Sequence, residues 1–402
     1  DNVSVIGSCP SFVTDRVDKI QEHFKNKQIP LTWTQLTPTM LFETVGLAIN
    51  FHTKQLSNKP ARLWKFFRAS QALLRRSFLR GEHLEIWIGH STSLFSIAKH
   101  GLSALFHSYR YVDKYRHARG KLWGSVRAEI KLVAGLVWMT QVDLGAEFIK
   151  QLDVGDSANN GYALLSTEAS LDELQECWAF QERWRYQPVP ESLKQAVLTG
   201  DAVEIAGTLS RLGGADPDTT VGHTLPDTIK TGIRWGAGLQ TQYAQWLVDS
   251  CKSGNWLQTS AIKSQLKAKP KRRVEMDVPA LVPPVPAALC QRDRYTLLWQ
   301  KRWINPLEHI NYKEARVALS SLKRSVRVRS LAGKKKVTLS DNLVAVSVFS
   351  KGRAKVWELN RLCRQAAAYM FISGIRWRVR HIETLRNPAD APSHVFEPKQ
   401  PK

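Results

Sequence analysis

The stretch KKVTLSDNLVAVSVFSKG, residues 335–352, decides how the rest of the chain is read. Val337-Thr338-Leu339 is a β-branched run of the kind that forms a strand. Ser340-Asp341 closes it, and from Leu343 the apolar residues take a helix-like spacing. Strand, acid, helix leaves two readings of Asp341. As a helix cap it accepts orphan backbone N–H groups and suits the positive end of the helix dipole. As an acid at the carboxyl end of a strand it can converge with others on a metal ion. The second reading requires partners elsewhere in the chain.

Working outward, similar elements alternate on both sides. Residues 295–303 (YTLLWQKRW) read as a strand, 311–324 as a helix, 335–339 as a strand, 354–372 as a helix and 375–382 as a strand. Further back, 146–186 hold two β-like runs broken by Asn159-Asn160-Gly161. A lone hairpin is marginal, so both pieces are expected in one α/β sheet with parallel members and covering helices. Four acids fall at its strand ends and helix starts: Asp156, Glu314, Asp341 and Asp390. Such a cluster is what two Mg²⁺ ions need, because Mg²⁺ takes hard oxygen ligands. Two ions about 4 Å apart can activate a water and stabilise the leaving oxygen of a phosphodiester. Mn²⁺ is the alternative ion. Each acid also has a local reading. Glu314 follows Asn311 by three, a capping-box spacing. Asp390 follows an Asn-Pro turn and suits an N-cap, and Asp156 suits a turn.

Charge narrows the partner. Against 35 Asp+Glu the chain has 58 Lys+Arg, a formal charge of +23, which favours a polyanion and nucleic acid first. A basic membrane-surface protein is the alternative, but no apolar run is long enough to span a bilayer. Residues 61–145 read as helical. In RLWKFFRASQALLRR, residues 62–76, Leu63, Phe66, Phe67, Ser70, Leu73 and Leu74 share one face, while Arg62, Lys65 and Arg76 lie away from it. These three are the candidate phosphate contacts, with solvated surface as the competing reading. The cysteines Cys9, Cys177, Cys251, Cys290 and Cys363 are scattered and show no CxxC spacing, so neither a zinc site nor a disulfide framework is suggested. An intracellular setting, cytoplasm or nucleus, is expected. The chain starts Asp1-Asn2-Val3 without Met, which predicts part of a longer polypeptide. Residues 187–290 carry a basic run at 267–273 and a Pro-rich piece at 278–286, expected to be an extended, linker-like insertion of unknown role.

The acidic motifs carry a resemblance. DSANNGYAL, from Asp156, resembles the first-strand signature Asp-Ala-Ser-x-x-Gly-x-Gly of the ribonuclease H domain of retroelement reverse transcriptases, with Ser157-Ala158 inverted and Ala163 in place of the second glycine. HINYKEARVAL is similar to the family's His-Ile-Asn-x-x-Glu-x-x-Ala helix. LSDNLVAVSVFSKG resembles its Ser-Asp-x-x-x-Ala-Val segment, and NPADAPS its Asn-x-x-Ala-Asp-x-x-Ser end. His394 stands where many relatives have Arg. DNVSVIG is similar to the tail of the polymerase Tyr-x-Asp-Asp hairpin, with Asn2 for the second Asp, and VGLAINFHTKQL to the primer-grip region. The helices of 62–112 resemble the thumb and connection of Ty3-like and DIRS-like elements.

The resemblance implies a ribonuclease H-like mixed five-stranded sheet with flanking helices, preceded by a mainly helical thumb/connection region. It implies the end of a reverse transcriptase palm and primer grip at 1–60, thumb/connection at 61–145, the ribonuclease H-like domain at 146–186 and 291–396, the insertion between them, and a tail at 397–402. Asp156, Glu314, Asp341 and Asp390 would be catalytic and hold two Mg²⁺ ions. The expected activity is cleavage of the RNA strand of an RNA/DNA hybrid. Polymerase activity is not expected from this chain without the N-terminal polymerase portion of the parent polypeptide. An inactive retroelement-derived module that only grips nucleic acid is the alternative. Integrases and transposases typically place the glutamate last, whereas Glu314 comes second.

Overall fold

The computed structural model describes residues 10–28, 41–44, 46–182, 186–188, 277–279 and 282–397. Asn2, the basic run at 267–273, most of the 187–290 segment and the tail beyond Glu397 lie outside the described residues. The chain divides into two compact units, Asp1–Ala146 and Glu147–Lys402.

In the first unit, α1 (Pro10–Asn26) is followed by β1 (Leu41–Thr44), β2 (Leu47–Asn50) and β3 (Gln55–Asn58). Next come α2 (Pro60–Leu74), β4 (Phe78–Arg80), α3 (Gly81–Leu94), α4 (Phe106–Tyr115), β5 (Arg119–Lys121), α5 (Gly124–Leu136) and β6 (Gln141–Asp143). The helices follow their apolar spacing. Leu63, Phe66 and Ser70 of α2 are buried, Phe66 stacks on Trp87 at 5.5 Å, and the Trp87 indole N–H donates to Ser70 Oγ at 2.9 Å. The helical reading of 61–145 is incomplete. β4 pairs with β5, and β6 pairs with β3 to close an antiparallel sheet of order β1-β2-β3-β6. Three-residue strands such as these are too short to show an alternation in sequence.

The second unit is a mixed α/β fold. Its elements are β7 (Gln151–Ser157), β8 (Gly161–Glu168), α6 (Leu171–Ala179), the paired short strands β9 (Tyr186–Pro188) and β10 (Asp277–Pro279), β11 (Thr296–Arg302), α7 (Ile310–Val326), β12 (Lys335–Ser340), α8 (Leu343–Lys351), α9 (Trp357–Ser373), β13 (Arg376–His381) and α10 (Asp390–Ser393). The main sheet has five strands in the order β11-β8-β7-β12-β13. β11, β8 and β7 are antiparallel neighbours, while β7, β12 and β13 are parallel. Strands on either side of the long 187–290 segment therefore share one sheet.

Alternation along the central strands sends side chains to two cores. Leu152, Val154, Val337 and Leu339 face α6 and the segment 282–290. The other face packs against α7, and the α7, α8 and α9 helices form a second core with Trp377 and Val379. Val285 and Leu289 are fully buried in the first core, so the end of the Pro-rich piece is core and not a solvated linker. Gly155 allows α7 to lie close on β7, because a Cβ there would meet Val317 Cγ1 at 2.6 Å. Beside it the α7 face holds a buried ion pair: Lys336 Nζ stands 2.9 Å from Asp153 Oδ2, both side chains fully buried. Ser166, Ser321, the Gln151 carbonyl and, at 3.4 Å, Arg324 add further hydrogen bonds, which is what a buried pair needs to offset its desolvation.

Candidate metal centre

The register of the parallel pair sets the site. Thr338 lies opposite Asp153 and Leu339 opposite Val154. Extending that register two residues past Leu339 brings Asp341, just beyond the end of β12, beside Asp156 near the end of β7. α7 runs back along β7. Ser321 hydrogen-bonds Asp153 near the start of the strand at 2.6 Å, and Glu314 Oε1 accepts the Ser157 backbone N–H at its end at 3.1 Å. Seven helical residues advance about 10 Å, and three to four strand residues about 10–13 Å, so the two acids arrive at the same level.

Asp156, Glu314 and Asp341 each offer a carboxylate oxygen within 4.8 Å of the others. Asp390, at the start of α10, offers one to a second group with Asp156 and His394, again within 4.8 Å. The local readings of these acids are answered one by one. The cap of α8 is Asn342, whose Oδ1 accepts the Ala345 N–H at 2.9 Å, so Asp341 is not the cap. The cap of α7 is His309, which accepts the Asn311 N–H through Nδ1 at 3.2 Å. That start lies two residues earlier than an Asn311 cap requires, and it moves Glu314 from the first turn into the second. Asp390 makes no side-chain capping bond. Asp156 lies within β7, not in a turn, and its carboxylate accepts from Asn387 Nδ2 at 3.4 Å and from the Ser393 hydroxyl.

Crowding and burial shift these groups together. Burial first, and then Asp341, push Asp156 up to about 7. Burial, followed by Asp156 and Asp341, pushes Glu314 up to about 10. Glu314 Oε2 is buried with no hydrogen-bond partner, a costly state for an oxygen in the interior. Among the described residues no lysine or arginine forms an ion pair with these four acids, and the basic side chain beside them is His394, with Nε2 3.7 Å from Asp390 Oδ1. An unpartnered buried oxygen among close carboxylates, in a chain this basic, fits a divalent cation bound through hard oxygen ligands.

Asn387 and Ser393 belong to the NPADAPS motif, but nothing in the sequence shows that they hold Asp156 by hydrogen bonds or that His394 joins Asp390 and Asp156 in one group. The α10 segment is fastened further by Asn160, which donates to Glu397 through its backbone N–H (2.9 Å) and its side-chain amide (3.1 Å). Gly161 lets it approach, since a Cβ there would meet the Ser393 carbonyl oxygen at 2.6 Å.

The candidate phosphate contacts lie in the first unit. Arg62 and Lys65 are on α2, and Arg76 lies two residues past its end. Lys65 and Arg76 are exposed, while Arg62 is half-buried and donates to Ser93 Oγ at 2.5 Å. Cys177, Cys290 and Cys363 are free thiols. No helix among the described residues is long and apolar enough to cross a membrane.

No protein-family model and no curated protein matches the chain. Among solved structures it is similar to a foamy viral protease-reverse transcriptase in complex with RNA/DNA hybrid, at 9% identity and a TM-score of 0.24, covering 96% of this chain and 56% of that one. The chain thus spans little more than half the length of that protein. A likeness this weak carries no argument about fold or function, which rest on the sheet and the acids.

Proposed function

We propose that the second unit is a ribonuclease H-like nuclease domain that cleaves the RNA strand of an RNA/DNA hybrid, as part of a retroelement-type reverse transcriptase. The observation that carries the reading is the meeting of Asp156, Glu314 and Asp341 at the ends of parallel strands, with Asp390 beside Asp156. The strand order, with the fourth and fifth strands parallel to the first, is compatible with that fold.

Asp156 belongs to both groups: Asp156, Glu314 and Asp341 would hold one divalent ion, Mg²⁺ or Mn²⁺, and Asp156 with Asp390 a second. Two such ions supply an activated water and charge stabilisation for the leaving 3′-oxygen. Hydrolysis would join the water oxygen to phosphorus and break the bond to the 3′-oxygen, which takes up a proton from water, leaving a 5′-phosphate and a 3′-hydroxyl. Asn387 and Ser393 fix the Asp156 carboxylate, and the Ser157 N–H fixes one oxygen of Glu314, so the other is free to act as a ligand. On this reading 1–60 is the end of a palm with its primer grip, and 61–145 a thumb/connection whose Arg62, Lys65 and Arg76 contact phosphates. Contacts to 2′-hydroxyls would distinguish the RNA strand.

The test is cleavage of an end-labelled RNA/DNA hybrid with Mg²⁺, with and without chelator, by the full chain and by Asp341→Asn. Chelator-sensitive cutting of the RNA strand alone, lost in the variant, supports the reading. Tight hybrid binding with no cutting in Mg²⁺ or Mn²⁺ would replace it with an inactive nucleic-acid-binding module, which the charge of +23 suits equally.

A further inference from the structure

Asp156 takes part in two groups of donors, and the second contains a nitrogen. His394 follows Asp390 by four residues, so both side chains lie on the same side of the α10 turn. The 3.7 Å between His394 Nε2 and Asp390 Oδ1 is too long for a hydrogen bond. It falls between the two spacings expected of donors on one octahedral ion. With metal–ligand distances of about 2.1 Å, adjacent donors lie about 3 Å apart and opposite ones about 4.2 Å. A second observation points to a cation at the adjoining group, which shares Asp156: Glu314 Oε2 is buried there without a hydrogen-bond partner. The histidine side chain is 55% exposed and has room to close the remaining gap.

Resting on the ribonuclease H reading, we propose that His394 is a direct nitrogen ligand of the ion held by Asp156 and Asp390, and that it shifts this position from Mg²⁺ toward first-row transition ions. Mg²⁺ discriminates in favour of oxygen, whereas imidazole is an ordinary ligand for transition metals. A third donor of that kind strengthens Mn²⁺ more than Mg²⁺. The other position, with Glu314 and Asp341, has oxygen donors alone.

The experiment is Mn²⁺ titration of the full chain followed by pulsed electron paramagnetic resonance, with wild type compared to His394→Ala. Bound Mn²⁺ in the wild type should show the ¹⁴N modulation of a coordinated imidazole. The modulation should vanish in His394→Ala while Mn²⁺ still binds, and less Mg²⁺ should then suffice to displace it. Bound Mn²⁺ without nitrogen modulation in the wild type, or modulation that persists in His394→Ala, overturns the proposal and leaves the carboxylate site standing; His394 is then only an ion-pair partner of Asp390. Failure of the wild type to bind Mn²⁺ at all overturns the metal-dependent reading together with this one.

Discussion

Asp341 and Asn342 are adjacent, yet they serve different ends of the same junction. Asn342 accepts the Ala345 N–H at 2.9 Å and donates to Asn311 Oδ1 at 3.0 Å, tying the start of α8 to α7. Asp341, one residue earlier, takes no part in the cap and offers its carboxylate to Asp156 and Glu314.

Substitution separates the two roles. Asp341→Asn is expected to abolish Mg²⁺-dependent cleavage and to leave the metal-free melting temperature unchanged or higher, because it relieves repulsion among clustered carboxylates. Asn342→Ala should cost about 1 kcal/mol of stability and retain measurable cleavage. Melting curves and hybrid cleavage on both proteins check this. Wild-type cleavage by Asp341→Asn sinks the metal-ligand assignment.

The pH dependence has a defined sign. In the metal-free fold burial and the neighbouring acids push Asp156 up to about 7 and Glu314 up to about 10, well above the ordinary carboxylate range. The folded protein therefore keeps protons that the unfolded chain releases. The stability this contributes is full below about pH 4 and is lost as pH rises through 7 and on toward 10. In chelator the melting temperature should fall between pH 5 and 9. Added Mg²⁺ should raise it more at pH 8 than at pH 5, since binding needs the ionised acids. A Mg²⁺ shift as large at pH 5 as at pH 8 would contradict the site.

The Lys336–Asp153 pair makes a prediction away from the chemistry. Lys336→Met leaves Asp153 buried with Ser166, Ser321 and Arg324, whose guanidinium is 3.4 Å away, and should cost less than the roughly 3–5 kcal/mol of a fully unpaired buried charge. Asp153→Leu combined with Lys336→Met should recover much of that loss. Urea denaturation of both variants measures it, and a double variant no more stable than the single one would show that the polar network specifies the packing.

Salt addresses the first unit. If Lys65, Arg76 and Arg62 meet phosphates, hybrid affinity falls steeply between about 50 and 200 mM salt, and charge reversal at these positions flattens the slope. An unchanged slope assigns them to solvated surface.

The five strands and their order of chemistry were legible because each is marked locally, by β-branched runs, turn residues and acids at their ends. The turn at Asn159-Asn160 and the strand before Asp341 needed no distant contact to be read. What escaped was long-range. The bonds from Asn387 and Ser393 to Asp156 span more than two hundred residues of sequence. Lys336 lies inside a strand and reads as a surface position until Asp153 is set beneath it. β6 is too short for a periodicity and exists through its pairing with β3. The placement of Glu314 in a first turn failed by two residues because His309, an uncommon cap, starts the helix.

Arg380 has a consequence for the length of the chain. Its buried guanidinium reaches Glu182 at 2.6 Å through one terminal nitrogen and the Pro283 carbonyl at 3.0 Å through the other, and β9 pairs with β10 just beyond those points. The departure and return of the polypeptide are thus pinned to one side chain of the edge strand β13. With both ends anchored, the sheet is insulated from how much chain runs between them. For a flexible connection, doubling the length costs only about 0.6 kcal/mol of closure entropy, so a change of length between these anchors is expected to leave the group of Asp156, Glu314 and Asp341 as it is.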